Sequence, residues 1–145
     1  MKEIRTEIEI AAPAERVWRV LADFAAWGEW NPFITRVQGE PQPGARIRFR
    51  VRPVGLPFAN LRATVLVATP ARELRWRGSL PIPGLFAGEH YYVLEPQDTN
   101  SVRFVHGERF SGLLIAPAAW LLDARIAPRF SEMNRALKLR VEAAS

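Results

Sequence analysis

The chain has two histidines, His90 and His106, and each lies in a run of alternating residues, "EHYYVLEP" and "SVRFVHGERF". Successive side chains of a strand point to opposite faces. In the first run His90, Tyr92 and Leu94 share a face, against Glu89, Tyr91, Val93 and Glu95. In the second, Phe104, His106, Glu108 and Phe110 share a face, against Arg103, Val105, Gly107 and Arg109. The polar turn "QDTN" between the runs makes them antiparallel neighbours. If Glu95 faces Ser101, His90 lies opposite His106; a register displaced by two places it opposite Glu108. The parity is the same either way, so His90, His106 and Glu108 gather on one face. That face also carries Leu94, Phe104 and Phe110, which makes the three a polar island in apolar surroundings.

A carboxylate alone in such surroundings is costly and tends to take up a proton, and a neighbouring imidazole can supply charge or a hydrogen bond. Imidazole is also suited to proton transfer near neutrality. Three readings fit the cluster. It is an internal polar network that holds strands and helix together, a polar anchor for a ligand headgroup, or an acid–base group with His106, Glu108 and His90 as catalytic candidates. Two histidines and a glutamate match a metal-ligand set in kind, but no HExxH-type spacing accompanies them, and no metal is expected. Neither a GxGxxG motif nor a P-loop is present, and no cofactor is expected. The absence of cysteine excludes disulfides and thiol chemistry and fits a reducing cytoplasm, the expected location.

The surrounding elements follow from periodicity. In "KEIRTEIEI" Ile4, Thr6, Ile8 and Ile10 face one way and Glu3, Arg5, Glu7 and Glu9 the other, a half-buried strand. "AAPAERVWRVLADF" has Val17, Val20, Leu21 and Phe24 at helical spacing, with Pro13 and Glu15 at its start. "AAWGEWNPFI" reads as a second short helix or turn. Strands are expected through "TRVQ", "ARIRFRVRP", "LRATVLVATP" and "RELRWRGSL", and Pro70 marks a turn. "PIPGLFAG" is an apolar loop whose Leu85 and Phe86 would be exposed, as a lid over a cavity mouth. The last stretch, "APAAWLLDARIAPRFSEMNRALKLRVEA", is one long helix with an apolar stripe of Ile126, Phe130, Met133, Leu137 and Val141, kinked or broken at Pro128. The order is strand, helix pair, six strands, long helix. It predicts an α+β protein with a seven-stranded antiparallel sheet whose first strand pairs with its last.

At 145 residues, 48% hydrophobic and 24% charged, the chain fits a single domain, 1–145, with one sizeable core. No apolar run approaches about 18 residues, so no membrane span is expected. The alternating N-terminus does not read as a signal peptide, and none is expected. The net charge is +5, and 18 of the 20 basic residues are arginine. Arg46, Arg48, Arg50, Arg52, Arg75 and Arg77 all fall on the polar faces of their strands, where Glu3, Glu7, Glu9, Glu89 and Glu95 could pair with them. A weak interaction with anionic surfaces follows from such a face. No recognition-helix motif or interleaved exposed aromatic accompanies it, so no nucleic-acid partner is expected.

The opening "AAPAERVWRVLADFAAWGEWNPF" and the later "GEHYYVLEP", "RFVHGERFSGLL" and "FSEMNRALKLRVE" resemble, in this order and over essentially the whole chain, the SRPBCC proteins. That superfamily takes in START-related, Bet-v-allergen-like, and polyketide cyclase/dehydratase and lipid-transport members. The resemblance implies a helix-grip fold, in which a curved sheet wraps the C-terminal helix and leaves a cavity. Its members bind lipids, hormones, polyketides or aromatics, and a minority are cyclases or aromatases. Such a cavity would be lined by Trp30 and Phe33 near the second helix and by Phe49, Val65, Val67 and Trp76 on the middle strands. The last strands would add His90, Tyr92, Phe104, His106, Glu108 and Phe110, and the long helix Ile126, Phe130 and Met133. The leading expectation is binding or transport of a small hydrophobic molecule in this cavity. The alternatives are a cyclase or dehydratase using His106 and Glu108 as its acid–base pair, and a basic-surface interaction module.

Overall fold

Strict alternation over Lys2–Ile10 produces β1, with Ile4 and Ile10 buried and Glu3, Arg5, Glu7 and Glu9 in solvent. The computed structural model describes residues 1–143. Helix α1 (Ala14–Ala22) follows, burying Val17 and Leu21. A 3-10 turn over Phe24–Glu29 then buries Phe24 and Trp27. The Trp27 indole N–H donates to the Leu21 carbonyl across 2.9 Å, which satisfies an acceptor left open at the end of α1.

Six strands come next: β2 (Ile34–Gln38), β3 (Arg46–Val51), β4 (Ala59–Thr69), β5 (Glu73–Ser79), β6 (Ala87–Asp98) and β7 (Ser101–Ser111). They form one antiparallel sheet in the order β1-β7-β6-β5-β4-β3-β2, so the first strand closes onto the last. In the β6–β7 pair His90 faces Glu108 and Tyr92 faces His106, which is the displaced register of the two that parity allowed. In the β1–β7 pair Thr6 faces His106.

The β4–β5 pairing contains a bulge. Val65 opposes Trp76, but Val67 opposes Arg75, so the extra residue Leu66 reverses the alternation beyond it. Val67 therefore shares the outer face with Arg75, and Ala68 packs on the core in its place. Leu80 lies past the end of β5 and is exposed.

The C-terminal segment is helical but not uniform. Helix α2 (Ile115–Leu121) passes into a π turn (Leu122–Ile126) and then α3 (Ala127–Ala143). Pro128 has no N–H to donate to the preceding turn, and the wide turn sits immediately before it. That is how the expected break is realised. Arg125 holds the turn: its carbonyl accepts from the Val54 N–H at 2.9 Å, and its guanidinium donates to the Val54 carbonyl at 3.2 Å.

Helix α3 lies across the sheet with Phe130, Met133, Asn134, Leu137 and Val141 buried. Trp27, Phe33, Trp76, Tyr92 and Phe104 complete an aromatic centre. Full burial of each such apolar side chain contributes about 1.5–3 kcal/mol. Leu85 and Phe86, expected to be exposed, are half-buried, with Phe86 packed on Phe110. The neighbouring Ile82 is the exposed tip.

Candidate functional site

The structure brings His90, His106 and Glu108 together on the inner face and adds two residues. His90 Nδ1 lies 3.3 Å from Glu108 Oε1, and the Nε2 atoms of the two histidines are 2.7 Å apart. His106 Nδ1 lies 2.8 Å from Asn134 Oδ1, whose amide nitrogen donates to the Thr6 hydroxyl at 2.8 Å. The hydroxyl donates in turn to the His106 carbonyl at 2.9 Å. The chain of contacts runs from β7 through β6, back to β7, across to α3 and down to β1.

The hydrogens of this chain follow from one another. The Thr6 hydroxyl gives its proton to the His106 carbonyl, so its oxygen accepts from Asn134. Asn134 Oδ1 is then the atom turned to His106, and His106 Nδ1 must carry the hydrogen. Burial, and next the adjacent His90, hold the His106 imidazole well below the usual histidine range. The ring is therefore neutral and its Nε2 is a bare acceptor. His90 Nε2–H donates to it. Only the far end is left open. His90 Nδ1 and Glu108 Oε1 face each other there at 3.3 Å, and a hydrogen between them can be carried by either atom while the rest stays set.

The two ends differ in access. His106 is wholly buried, stacked on Phe130 with ring centres 4.2 Å apart and nearly parallel. The Glu108 side chain keeps 18% of its surface exposed. Its carboxylate occupies the space that a side chain on Gly88 would need. Tyr92 lies beside both histidines, and burial, then Glu108, push its hydroxyl well above the usual tyrosine range, so it stays a neutral phenol.

Most of the proposed lining converges on this interior. Phe33, Phe49, Val65, Trp76, Tyr92, Phe104, Phe110, Phe130 and Met133 are buried in one core, with Trp30 and Ile126 half-buried against it. Val67 is not among them. The rings touch one another rather than surrounding open space: Phe33 meets Phe130, Phe49 meets Trp76, and Trp76 meets His90, all at about 5.4 Å between centres. Inside this core the Tyr92 hydroxyl, the Trp30 indole N–H and the Asn31 amide nitrogen have no hydrogen-bond partner among the described residues. Open grooves lie instead on the outer face, one of about 400 Å³ bordered by Arg36, Arg48, Arg50 and Arg62.

Thr6 and Asn134 were not among the candidates read from the sequence. Each left a signal: Thr6 is the polar member of an inward set otherwise made of isoleucines, and Asn134 lies four residues from Phe130 on the apolar stripe. Among the described residues, no group of three or more acidic, histidine or cysteine side chains is placed to hold a metal ion. No helix among them is long and apolar enough to cross a membrane.

A curved seven-stranded antiparallel sheet closed over a long C-terminal helix is the helix-grip architecture of the SRPBCC superfamily. The family described as polyketide cyclase / dehydrase and lipid transport matches residues 1–142, and the chain belongs to it. Solved structures with the same fold include the Zhui aromatase/cyclase from Streptomyces sp. R1128, at 20% identity and a TM-score of 0.80 over 97% of this chain and 93% of that one. A START superfamily protein from Mycobacterium smegmatis matches at 19% identity and a TM-score of 0.78 over 99% of both chains. Norcoclaurine synthase from Thalictrum flavum matches at 13% identity and 0.73, over 99% of this chain and 88% of that one. At these identities the likeness shows the fold alone. No curated protein matches the sequence.

Proposed function

We propose that the protein binds a small hydrophobic molecule, such as a lipid, aromatic or polyketide-like compound, between the sheet and α3. One observation carries the reading. The core holds more polar groups than its own packing uses: a proton chain open at Glu108, and the unpartnered donors of Tyr92, Trp30 and Asn31. An unpaired buried donor costs about 1–3 kcal/mol, which a ligand acceptor would recover. The ligand enters at the Glu108 end, where the interior reaches solvent, and the aromatic rings shift to admit it. The family to which the chain belongs, and the aromatase/cyclase among its structural neighbours, support this class of ligand.

Native mass spectrometry of gently purified protein tests it. A discrete adduct of small-molecule mass is expected, weakened in Tyr92→Phe. A set of polycyclic aromatics and fatty acids should also raise the melting temperature, because ligand at about 100 times Kd adds about 2.7 kcal/mol to stability. A clean apo mass with no compound shifting the melt would overturn the reading.

The same open-ended proton chain favours a second reading, acid–base catalysis of cyclisation or dehydration by Glu108 and His90, with His106 and Asn134 setting the tautomer. Turnover of a poly-β-keto substrate should then fall sharply in Glu108→Gln. Equal rates in wild type, Glu108→Gln and His106→Ala would remove it.

A further inference from the structure

Three segments emerge at the same end of the sheet. They are the loops 53–58 and 80–86 and the segment 112–121, because Val51 opposes Ala59, Ser79 opposes Ala87, and Ala87 opposes Ser111. Their sequences, "PVGLPF", "LPIPGLF" and "GLLIAPAAWL", contain no charged side chain. Backbone bonds join two of them, from Leu113 N–H to the Gly84 carbonyl at 2.9 Å and from Leu114 N–H to the Leu85 carbonyl at 3.0 Å. The third is tied to the π turn through Val54 and Arg125.

These segments project large apolar side chains into solvent. Phe58 is 53% exposed, Ile82 62%, Trp120 66% and Leu113 79%, and Leu56 and Leu80 are exposed beside them. Surface loops are ordinarily polar, and a gathered apolar patch marks an interaction site. Behind the tips stand arginines. The Arg50 and Arg52 guanidiniums lie 5.5 and 5.7 Å from the Phe58 ring centre. Arg62 and Arg77 follow on the outer face. Among the described residues none of these four arginines pairs with a carboxylate.

We propose that this end docks on a bilayer containing anionic phospholipid. The apolar tips enter the interface, Trp120 sits at headgroup depth, and the arginines behind them meet the lipid phosphates. The charge favours a bilayer over a second copy of the chain, since two such ends meeting face to face would bring their arginine collars together. The proposal stands on the exposed end alone and does not depend on what the interior holds.

Sedimentation with equimolar phosphatidylglycerol and phosphatidylcholine vesicles, against phosphatidylcholine alone, tests it. Trp120 is the only exposed tryptophan among the described residues, so its fluorescence reports insertion. The expected result is binding to the anionic vesicles that weakens with salt, with a blue shift that Trp120→Phe abolishes. Ile82→Asp and Leu113→Asp should each lower partition about tenfold or more. Arg52→Gln should lower it about fivefold. All four positions are exposed, and circular dichroism checks that the variants fold. Absence of vesicle binding would overturn the proposal. So would binding that Ile82→Asp and Leu113→Asp leave unchanged, or a dimer that Ile82→Asp dissociates in a protein that ignores vesicles.

Discussion

At His106 both ring nitrogens have partners, His90 at Nε2 and Asn134 at Nδ1. Asn134→Leu removes the side-chain acceptor of the buried His106 Nδ1–H and leaves it the Phe130 backbone carbonyl alone, which should cost about 1 kcal/mol or more in denaturant unfolding. A loss near zero would mean that Asn134 does not set the tautomer. The buried imidazole also makes stability depend on pH. Its folded-state affinity for protons is depressed, so the unfolded chain binds the proton first as pH falls. The stabilisation is complete above the ordinary histidine value of about 6.5 and declines below it by up to about 1.4 kcal/mol per pH unit. Melting temperatures between pH 7.5 and 5 should therefore fall more steeply in wild type than in His106→Gln. Parallel slopes would contradict the neutral assignment.

Two glycines on paired strands separate a positional role from a structural one. A side chain on Gly88 would meet only the end of the Glu108 carboxylate, which can swing aside. Gly88→Ala should fold with a small loss of stability but part Glu108 from His90, visible as a changed His90 imidazole resonance. A side chain on Gly107 would meet the Tyr91 ring and come within 2.8 Å of the Ile4 backbone carbonyl. Tyr91 is held there by its hydroxyl, which donates to Glu3 at 2.6 Å, and by Arg75 above its ring. Gly107→Ala must move strand β1, and should cost about 1–3 kcal/mol. If Gly88→Ala proved the more damaging in thermal melts, the packing of β6 on β7 would differ from that described.

Over the whole molecule the outer face divides into two halves of different electrostatics. On the β5–β1 side the carboxylates are used: Glu73 and Glu89 with Arg75, Glu3 with Arg109, Glu95 with Arg103. On the β2–β4 side Arg48 stands opposite Arg62 and Arg36 opposite Arg50, like charges directly across the strands. Relieving one such pair with Arg62→Gln should stabilise the fold by about 0.2–1 kcal/mol. Added salt should raise the wild-type melting temperature by screening the repulsion. A melt that falls or stays level with salt would mean the guanidiniums already avoid each other.

The alternation of polar and apolar residues in β1, β3, β6 and β7 by itself determined strand identity, inward faces and the gathering of His90, His106 and Glu108, because side-chain parity survives any even slip of register. The motifs at the two ends of the chain determined the fold class. What parity cannot decide is which even register is taken, and tertiary pairing placed His90 against Glu108 rather than His106. The bulge at Leu66 moved Val67 outward, a change of one residue that no alternation encodes. Thr6 and Asn134, separated by 128 residues, meet only because β1 closes the sheet under α3. The exposed end escaped the sequence for the same reason. Its three apolar segments are distant along the chain: "PIPGLFAG" alone reads as a lid and "APAAWLL" as the start of a helix, and only the strand pairing brings both to one edge with the loop 53–58.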